Sequence, residues 1–236
     1  MMTERLLINI AKVIGLGAGL LKKEKGQKVR AGGRFGNRDV TTTLREQSFV
    51  VLDCETTGFK PEQGDQIISV AAVRVKGGRL EEGNFSTLVD PGRSIPPIVS
   101  SLTGITEEMV KGMPSLEEVL PQLINYTGDS IITGFNIGFD LAFINLGLKD
   151  LGRATLCPAQ SLDVFVLGRL LRPTWPHRLL EDMAYTYNIS AKGRHTALGD
   201  SIITAKLLQA MIVELEEKGI RNLKDLEDYL CYCSLF

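Results

Sequence analysis

Phe49-Val50-Val51-Leu52-Asp53-Cys54-Glu55-Thr56-Thr57-Gly58 is the stretch whose reading decides the fold. Four apolar residues run into an acid-x-acid pair and then into a turn of small residues. A short apolar run bounded by glycine reads as a buried strand, Phe49 to Leu52. Successive side chains on a strand point to opposite faces, so Asp53 and Glu55 share one face at its end. Two carboxylates held that close raise each other's pKa unless a cation lies between them. Hard divalent cations, which prefer oxygen ligands, are the natural guests.

Outward from this strand the pattern is that of an α/β domain. Gln66 to Val75 is a second strand, Lys76-Gly77-Gly78 a turn, and Arg79 to Asp90 a returning third strand, so the pair reads as a hairpin. Pro91, Pro96 and Pro97 mark a loop. Thr106 to Met109 reads as a short capped helix. Ser115 and Glu118 form a capping box ahead of a helix whose apolar face is Leu116, Val119, Leu120, Leu123 and Ile124. Ser130 to Phe135 is a fourth strand. A helix over Phe139 to Leu151 turns Leu141, Phe143, Ile144, Leu146 and Leu148 inward. A short strand at Ala159 to Leu162 follows, then helices around Val164–Leu171, Leu179–Tyr187 and Ala197–Lys218. Three hairpin-linked strands followed by alternating strands and helices give a mixed sheet with helices on its faces.

The 236 residues, 44% of them hydrophobic, are enough for one good core and a small appendage. Formal net charge is −1, which excludes a protein that holds nucleic acid by bulk charge alone. The charge is uneven: residues 1–46 carry ten Lys/Arg against four Asp/Glu, and the other 190 carry 17 against 24. An acidic body needs metal or local Lys/Arg before it accepts a phosphodiester. Four cysteines, at 54, 157, 231 and 233, make neither a disulfide framework nor a zinc pattern, and a reducing cytoplasm fits. Leu6 to Leu21 is apolar but is broken by Lys12 and three glycines. It is shorter than the roughly 20 apolar residues of a membrane span and lacks a cleavage site. Residues 22–46 are basic and Gly-rich and read as a linker. The expected division is an extension over 1–46, a globular domain over 47–218 and a helical tail over 219–236.

Two further acidic segments complete the pattern. Gly134-Phe135-Asn136-Ile137-Gly138-Phe139-Asp140 places Asp140 just past a strand, at a helix start, where cap and metal ligand are both open readings. In Gly193-Arg194-His195-Thr196-Ala197-Leu198-Gly199-Asp200, His195 and Asp200 are five apart, about 140° around an ideal helix. If both serve one site, His195 belongs in the lead-in loop and Asp200 on the first turns of the helix. Gly193 and Gly199 fit a mobile loop and a close backbone approach. His177, after Pro176, reads as a solvated side chain.

Asp53-x-Glu55-Thr56-Thr57-Gly58, Asn136-x-x-Phe139-Asp140 and His195 ahead of Asp200 together resemble the three motifs of the DEDDh 3′–5′ exonucleases, the family of the proofreading epsilon subunit of bacterial DNA polymerase III. The resemblance spans roughly residues 47–212. It is supported by Ser101-Leu102-Thr103-Gly104-Ile105-Thr106, by Ser161-Leu162-Asp163, by Arg169-Leu170-Leu171 and by Leu179 to Ala184. Phe135 departs from it, since many relatives carry His there.

The resemblance implies an RNase H-like mixed five-stranded sheet flanked by helices. It implies two divalent cations, Mg²⁺ or Mn²⁺, which reverse the sign of the acidic pocket. Asp53 would bridge both, Glu55 and Asp200 would complete the site of the nucleophilic water, and Asp140 would hold the second cation. His195 would be the general base, because a free pKa near 6.5 suits proton removal at neutral pH. The implied substrate is the 3′ end of single-stranded or frayed DNA or RNA, DNA favoured, and the product a nucleoside 5′-monophosphate. Backbone at Thr57 and Gly58 would receive the 3′-hydroxyl, Leu102 and Ile105 would press on the last base, and Asn136 would complete the substrate contacts. A proofreading role requires a DNA polymerase subunit as partner, gripping the Arg221–Phe236 tail or the basic N-terminal arm. The alternatives are an RNA 3′-end trimming enzyme and an inactive relative that binds nucleic acid or a polymerase.

Overall fold

The computed structural model describes residue 35 and residues 39–157, 160–174 and 179–233, with backbone only for 232 and 233. All belong to the unit Gly33–Phe236. The apolar stretch Leu6–Leu21, most of the basic linker, Ala159 and His177 lie outside the described residues. No helix among the described residues is long and apolar enough to cross a membrane.

Five strands form one mixed sheet: β1 (Phe49–Thr56), β2 (Ile67–Lys76), β3 (Arg79–Leu88), β4 (Ile131–Gly134) and β5 (Leu162–Asp163). Their spatial order is β3-β2-β1-β4-β5. β1–β2 and β2–β3 pair antiparallel, and β1–β4 and β4–β5 parallel. The helices are α1 (Pro97–Thr103), α2 (Glu107–Val110), α3 (Leu116–Thr127), α4 (Ile137–Asp150), α5 (Val164–Leu171), α6 (Leu180–Thr186), α7 (Ala197–Glu217) and α8 (Leu223–Cys233). This is the RNase H-like arrangement that the sequence led us to expect.

The alternation along β1 sorts its residues onto two cores. Phe49 and Val51 pack beneath α7 with Leu207, Leu208 and Met211. Val50, Leu52 and Cys54 pack beneath α3 and α4 with Leu120, Leu141 and Ile144. Asp53 and Glu55 continue the Phe49–Val51 row, so they emerge on the face that α7 covers.

Several expectations need correction. β1 runs four residues beyond Leu52, because it stays paired with β2 through Glu55 opposite Ser69. The acids therefore lie within the strand. The Pro96–Pro97 segment forms α1 rather than a loop. Pro97 occupies the first turn, where its missing N–H costs nothing, and Gly104 ends the helix at φ 74°. Leu146, expected inward, is 37% exposed. It lies about 200° around the helix from both Ile144 and Leu148. The packed body also reaches beyond residues 47–218. Phe35 and Leu44 are buried in the same cluster as Leu223, Leu226 and Leu230 of α8. An isolated bridge joins Thr43 to Asn222, and the Leu44 N–H donates to the Arg221 carbonyl at 2.8 Å. The apolar face of α8 is thus committed to the core.

Candidate active site

The parallel half of the sheet creates the site. β1 pairs with β4 only from Phe49 to Val51, then outruns it. Past that point the edge of β1 is open, and ligands of open α/β sheets bind where strand ends diverge in this way. The Cys54 N–H on that edge donates to Oδ1 of Asp140 at 2.8 Å. Asp140 reaches it from the first turn of α4, whose N-terminus is set by Asn136 in the left-handed region at φ 56°. Asp163 holds that turn. Its Oδ1 accepts N–H groups from Asn136, Phe165 and Val166 at 3.1, 2.9 and 3.3 Å. Phe135 packs edge-on against Phe165, with ring centroids 5.4 Å apart.

Asp200 arrives from the opposite face, in the first turn of α7. Ser201 fastens that turn to the sheet, with Oγ 3.2 Å from the carbonyl of Ala71, the residue paired with Asp53. Thr196 caps the helix by accepting the Gly199 N–H at 3.1 Å. A Cβ on Gly199 would lie 1.9 Å from the Gly193 carbonyl oxygen, so only glycine lets the preceding loop fold this closely over the helix. The loop turns through Gly193 at φ 95° and His195 at φ 64°. Left-handed backbone is costly for a residue with a side chain and marks a position held by its surroundings.

Asp53, Glu55 and Asp200 each offer an oxygen within 4.8 Å of the others. Asp140 stands outside that trio, close enough for its charge to act on Asp53. Burial, then the charges of Asp140, Asp200 and Glu55, push the Asp53 carboxyl well above its usual range. Burial and Asp200 raise Glu55 to about 7. Burial also raises Asp140 and Asp200, against the hydrogen bonds that each accepts. His195 is shifted the other way: burial and the neighbouring Arg194 lower it, while Asp200 and Glu181 pull it back up. Arg194 donates to Oδ2 of Asp200, and its Nε donates to Glu181 at 2.9 Å. Oδ1 of Asp200 is buried with no hydrogen-bond partner. Crowded acids, an all-oxygen donor set and an orphaned carboxylate oxygen fit hard divalent cations.

The other expected residues divide. The Thr57 N–H donates to the Gln66 carbonyl at 2.8 Å, and the Thr57 hydroxyl lies 3.1 Å from Asp65 and accepts the Gln66 N–H at 3.0 Å. Gly58 faces the Asp65 carboxylate so closely that a Cβ would lie 2.3 Å from it. Leu102 is exposed, whereas Ile105 is buried with Ile68, Ile95 and Val110. Sequence reasoning missed Arg194, Glu181 and Asp163 as parts of the site. A lone basic residue beside His195, and an acid opening the helix before it, were the available signals.

Comparison with known proteins identifies the family. The family model described as Exonuclease matches residues 50–208. DNA polymerase III subunit epsilon of Aquifex aeolicus is 39% identical over 172 residues, covering 73% of this chain and 84% of the relative. DNA polymerase III PolC-type of Clostridium perfringens is 37% identical over 187 residues, covering 78% of this chain, which spans only 13% of that relative. Among solved structures, exonuclease X in complex with 5′ overhanging duplex DNA superposes with a TM-score of 0.60 at 25% identity, over 77% of this chain and 99% of that one. E. coli exonuclease I, in a zinc-bound complex with single-stranded DNA, shares the fold with a TM-score of 0.63 at 19% identity, over 72% and 41% of the two chains. With its acids carried on β1, α4 and α7 and its body matched from Val50 to Leu208, the chain belongs to the exonuclease family.

Proposed function

We propose that this protein removes nucleotides from the 3′ end of single-stranded or frayed DNA, releasing nucleoside 5′-monophosphates, with Mg²⁺ or Mn²⁺ as cofactor. The observation that carries the proposal is the approach of Asp53, Glu55 and Asp200 within 4.8 Å, beside an imidazole on a fixed left-handed turn. Relatives named epsilon and PolC, and the DNA-bound exonuclease X and exonuclease I neighbours, support the substrate and a place beside a polymerase.

Asp53, Glu55 and Asp200 would hold the cations, with Asp140 completing the set. When bound, the cations supply Lewis acidity toward the scissile phosphate and charge neutralisation in an otherwise repulsive pocket. His195 takes the proton of the attacking water through an imidazole nitrogen. Its lowered pKa keeps it neutral, and so able to accept that proton, at pH 7. The water oxygen bonds to phosphorus, and the bond from phosphorus to the 3′-oxygen of the preceding nucleotide breaks. Asp140 holds the edge of β1 through the Cys54 N–H and so keeps Asp53 and Glu55 aimed into the site. Leu102, exposed on α1, would meet the terminal base, and apolar stacking tolerates any sequence. Gly58 would offer backbone to the 3′-hydroxyl. Thr57 contributes by holding that turn, since its own N–H is already given to Gln66.

The test is degradation of matched DNA and RNA strands labelled at the 5′ end, with Mg²⁺ and with chelator. The proposal expects a ladder shortening from the 3′ end, faster on DNA and abolished by chelation. Intact strands, or digestion from the 5′ end, would refute it.

A further inference from the structure

We propose that Arg194 is a resident counter-cation of the acidic centre, displaced from Asp200 when a divalent cation binds and then retained by Glu181. The proposal rests on reading Asp53, Glu55 and Asp200 as cation ligands. It adds a residue that sets how tightly the cation is held.

The guanidinium bonds its two acids through different nitrogens. One terminal nitrogen meets Oδ2 of Asp200, and Nε meets Oε2 of Glu181 at 2.9 Å. Either bond can therefore break while the other persists. The side chains grade outward from Asp200 at 8% exposed, through Arg194 at 20%, to Glu181 at 32%. The cation of the pair thus stands between the acidic interior and solvent. Asp200 gives one oxygen to Arg194 and leaves the other buried without a partner.

A divalent cation on the Asp53–Glu55–Asp200 trio would lie beside a guanidinium of the same sign, which opposes its binding. The loop cannot close further onto the helix to relieve the conflict, because Gly199 already abuts the Gly193 carbonyl and His195 is already in the left-handed region. The side chain offers the cheaper relief. Rotation away from Asp200 with the Nε bond kept leaves Arg194 paired with Glu181 and strands no charge. In the cation-free protein the same guanidinium eases the repulsion among Asp53, Glu55 and Asp200.

The test measures Mn²⁺ binding to the full chain by electron paramagnetic resonance, together with thermal melts with and without Mn²⁺. Arg194→Met should bind Mn²⁺ more tightly, on the order of tenfold, since the competing cation is gone. It should also melt lower than wild type without metal and gain more on Mn²⁺ addition. Glu181→Gln should bind more weakly, because Arg194 then rests on Asp200 undivided. If Arg194→Met does not fold, Arg194→Gln, which keeps a donor for Glu181, carries the same expectation. A merely structural arginine predicts that both variants loosen the loop and weaken binding. Unchanged or weaker Mn²⁺ affinity in the arginine variants overturns the proposal, whereas a wild type that binds no Mn²⁺ overturns the cation reading beneath it.

Discussion

Gly199→Ala isolates the part of the site made by the loop ahead of α7. The new Cβ would lie 1.9 Å from the Gly193 carbonyl oxygen, 2.6 Å from its carbon and 2.7 Å from Thr196 Oγ. Ordinary contact begins near 3.4 Å, so the loop must retreat by about 1.5 Å or the helix must unwind. The nearest atoms are backbone, so no side-chain rotation relieves the clash. Overpacking of this kind costs about 1–3 kcal/mol, partly offset by about 1 kcal/mol from alanine's greater helix propensity. The net cost of about 0–2 kcal/mol should therefore lower the melting temperature by at most about 4–8 °C. The chemical consequence is larger. Arg194, His195 and the Thr196 cap all move with the loop, and a displacement near 1 Å at a reacting group costs about 10²-fold. We expect kcat on 5′-labelled single-stranded DNA to drop about 10²-fold, while Mn²⁺ still binds through Asp53 and Glu55. Gly138→Ala supplies the stability control: that helical glycine has nothing within 4 Å of the added Cβ, and the change should be neutral or stabilising by up to about 1 kcal/mol. Wild-type kcat in a folded Gly199→Ala protein would refute the claim that this loop positions the base.

Other outcomes follow from the charges. Asp53→Asn should abolish cleavage yet raise the metal-free melting temperature by a few degrees, because it removes one of four mutually repelling acids; a lower metal-free melting point would show that the acids do not repel as described. Glu55 binds its proton more tightly folded, near 7, than its ordinary 4.5, so the folded state carries more protons across that window and stability falls as pH rises through it. Metal-free melts in a His195→Gln background should therefore fall from pH 5 to 7, and saturating Mg²⁺ should flatten or reverse the trend. His195 has the opposite sign: its folded pKa lies below 6.5, so the acid limb of kcat/KM should fall below 6.5. His195→Gln should lose about 10²–10⁴-fold in kcat together with that limb, and an acid limb above 6.5 would assign it to another group.

The acids and the fold were legible because they obey short-range rules. Alternation along β1 put Asp53 and Glu55 on one face, and the turn at Lys76–Gly78 set the hairpin. Helix geometry separated His195 from Asp200. What escaped depends on three-dimensional closure. Arg194 is an ordinary basic residue until the loop folds it between Glu181 and Asp200. Asp163 matters because three separate backbone N–H groups converge on one oxygen. Pro97 reads as a break in structure but begins a helix, and Leu44 sits in a polar linker sequence although α8 returns to bury it. A proline fits either a loop or a first helical turn, and the return of α8 is not encoded in local pattern at all.

The central claim is that the acids on β1, α4 and α7 would hold divalent cations and that this site removes nucleotides from the 3′ end of DNA. Its most direct test is the mononucleotide product formed from a strand whose 3′-terminal nucleotide alone is labelled, compared between wild type and Asp53→Asn at equal folded concentration. The account predicts labelled nucleoside 5′-monophosphate as the first product from wild type, only when Mg²⁺ or Mn²⁺ is added, and none from the variant. Release of the same product by Asp53→Asn at the wild-type rate, or by wild type in excess chelator, would contradict it.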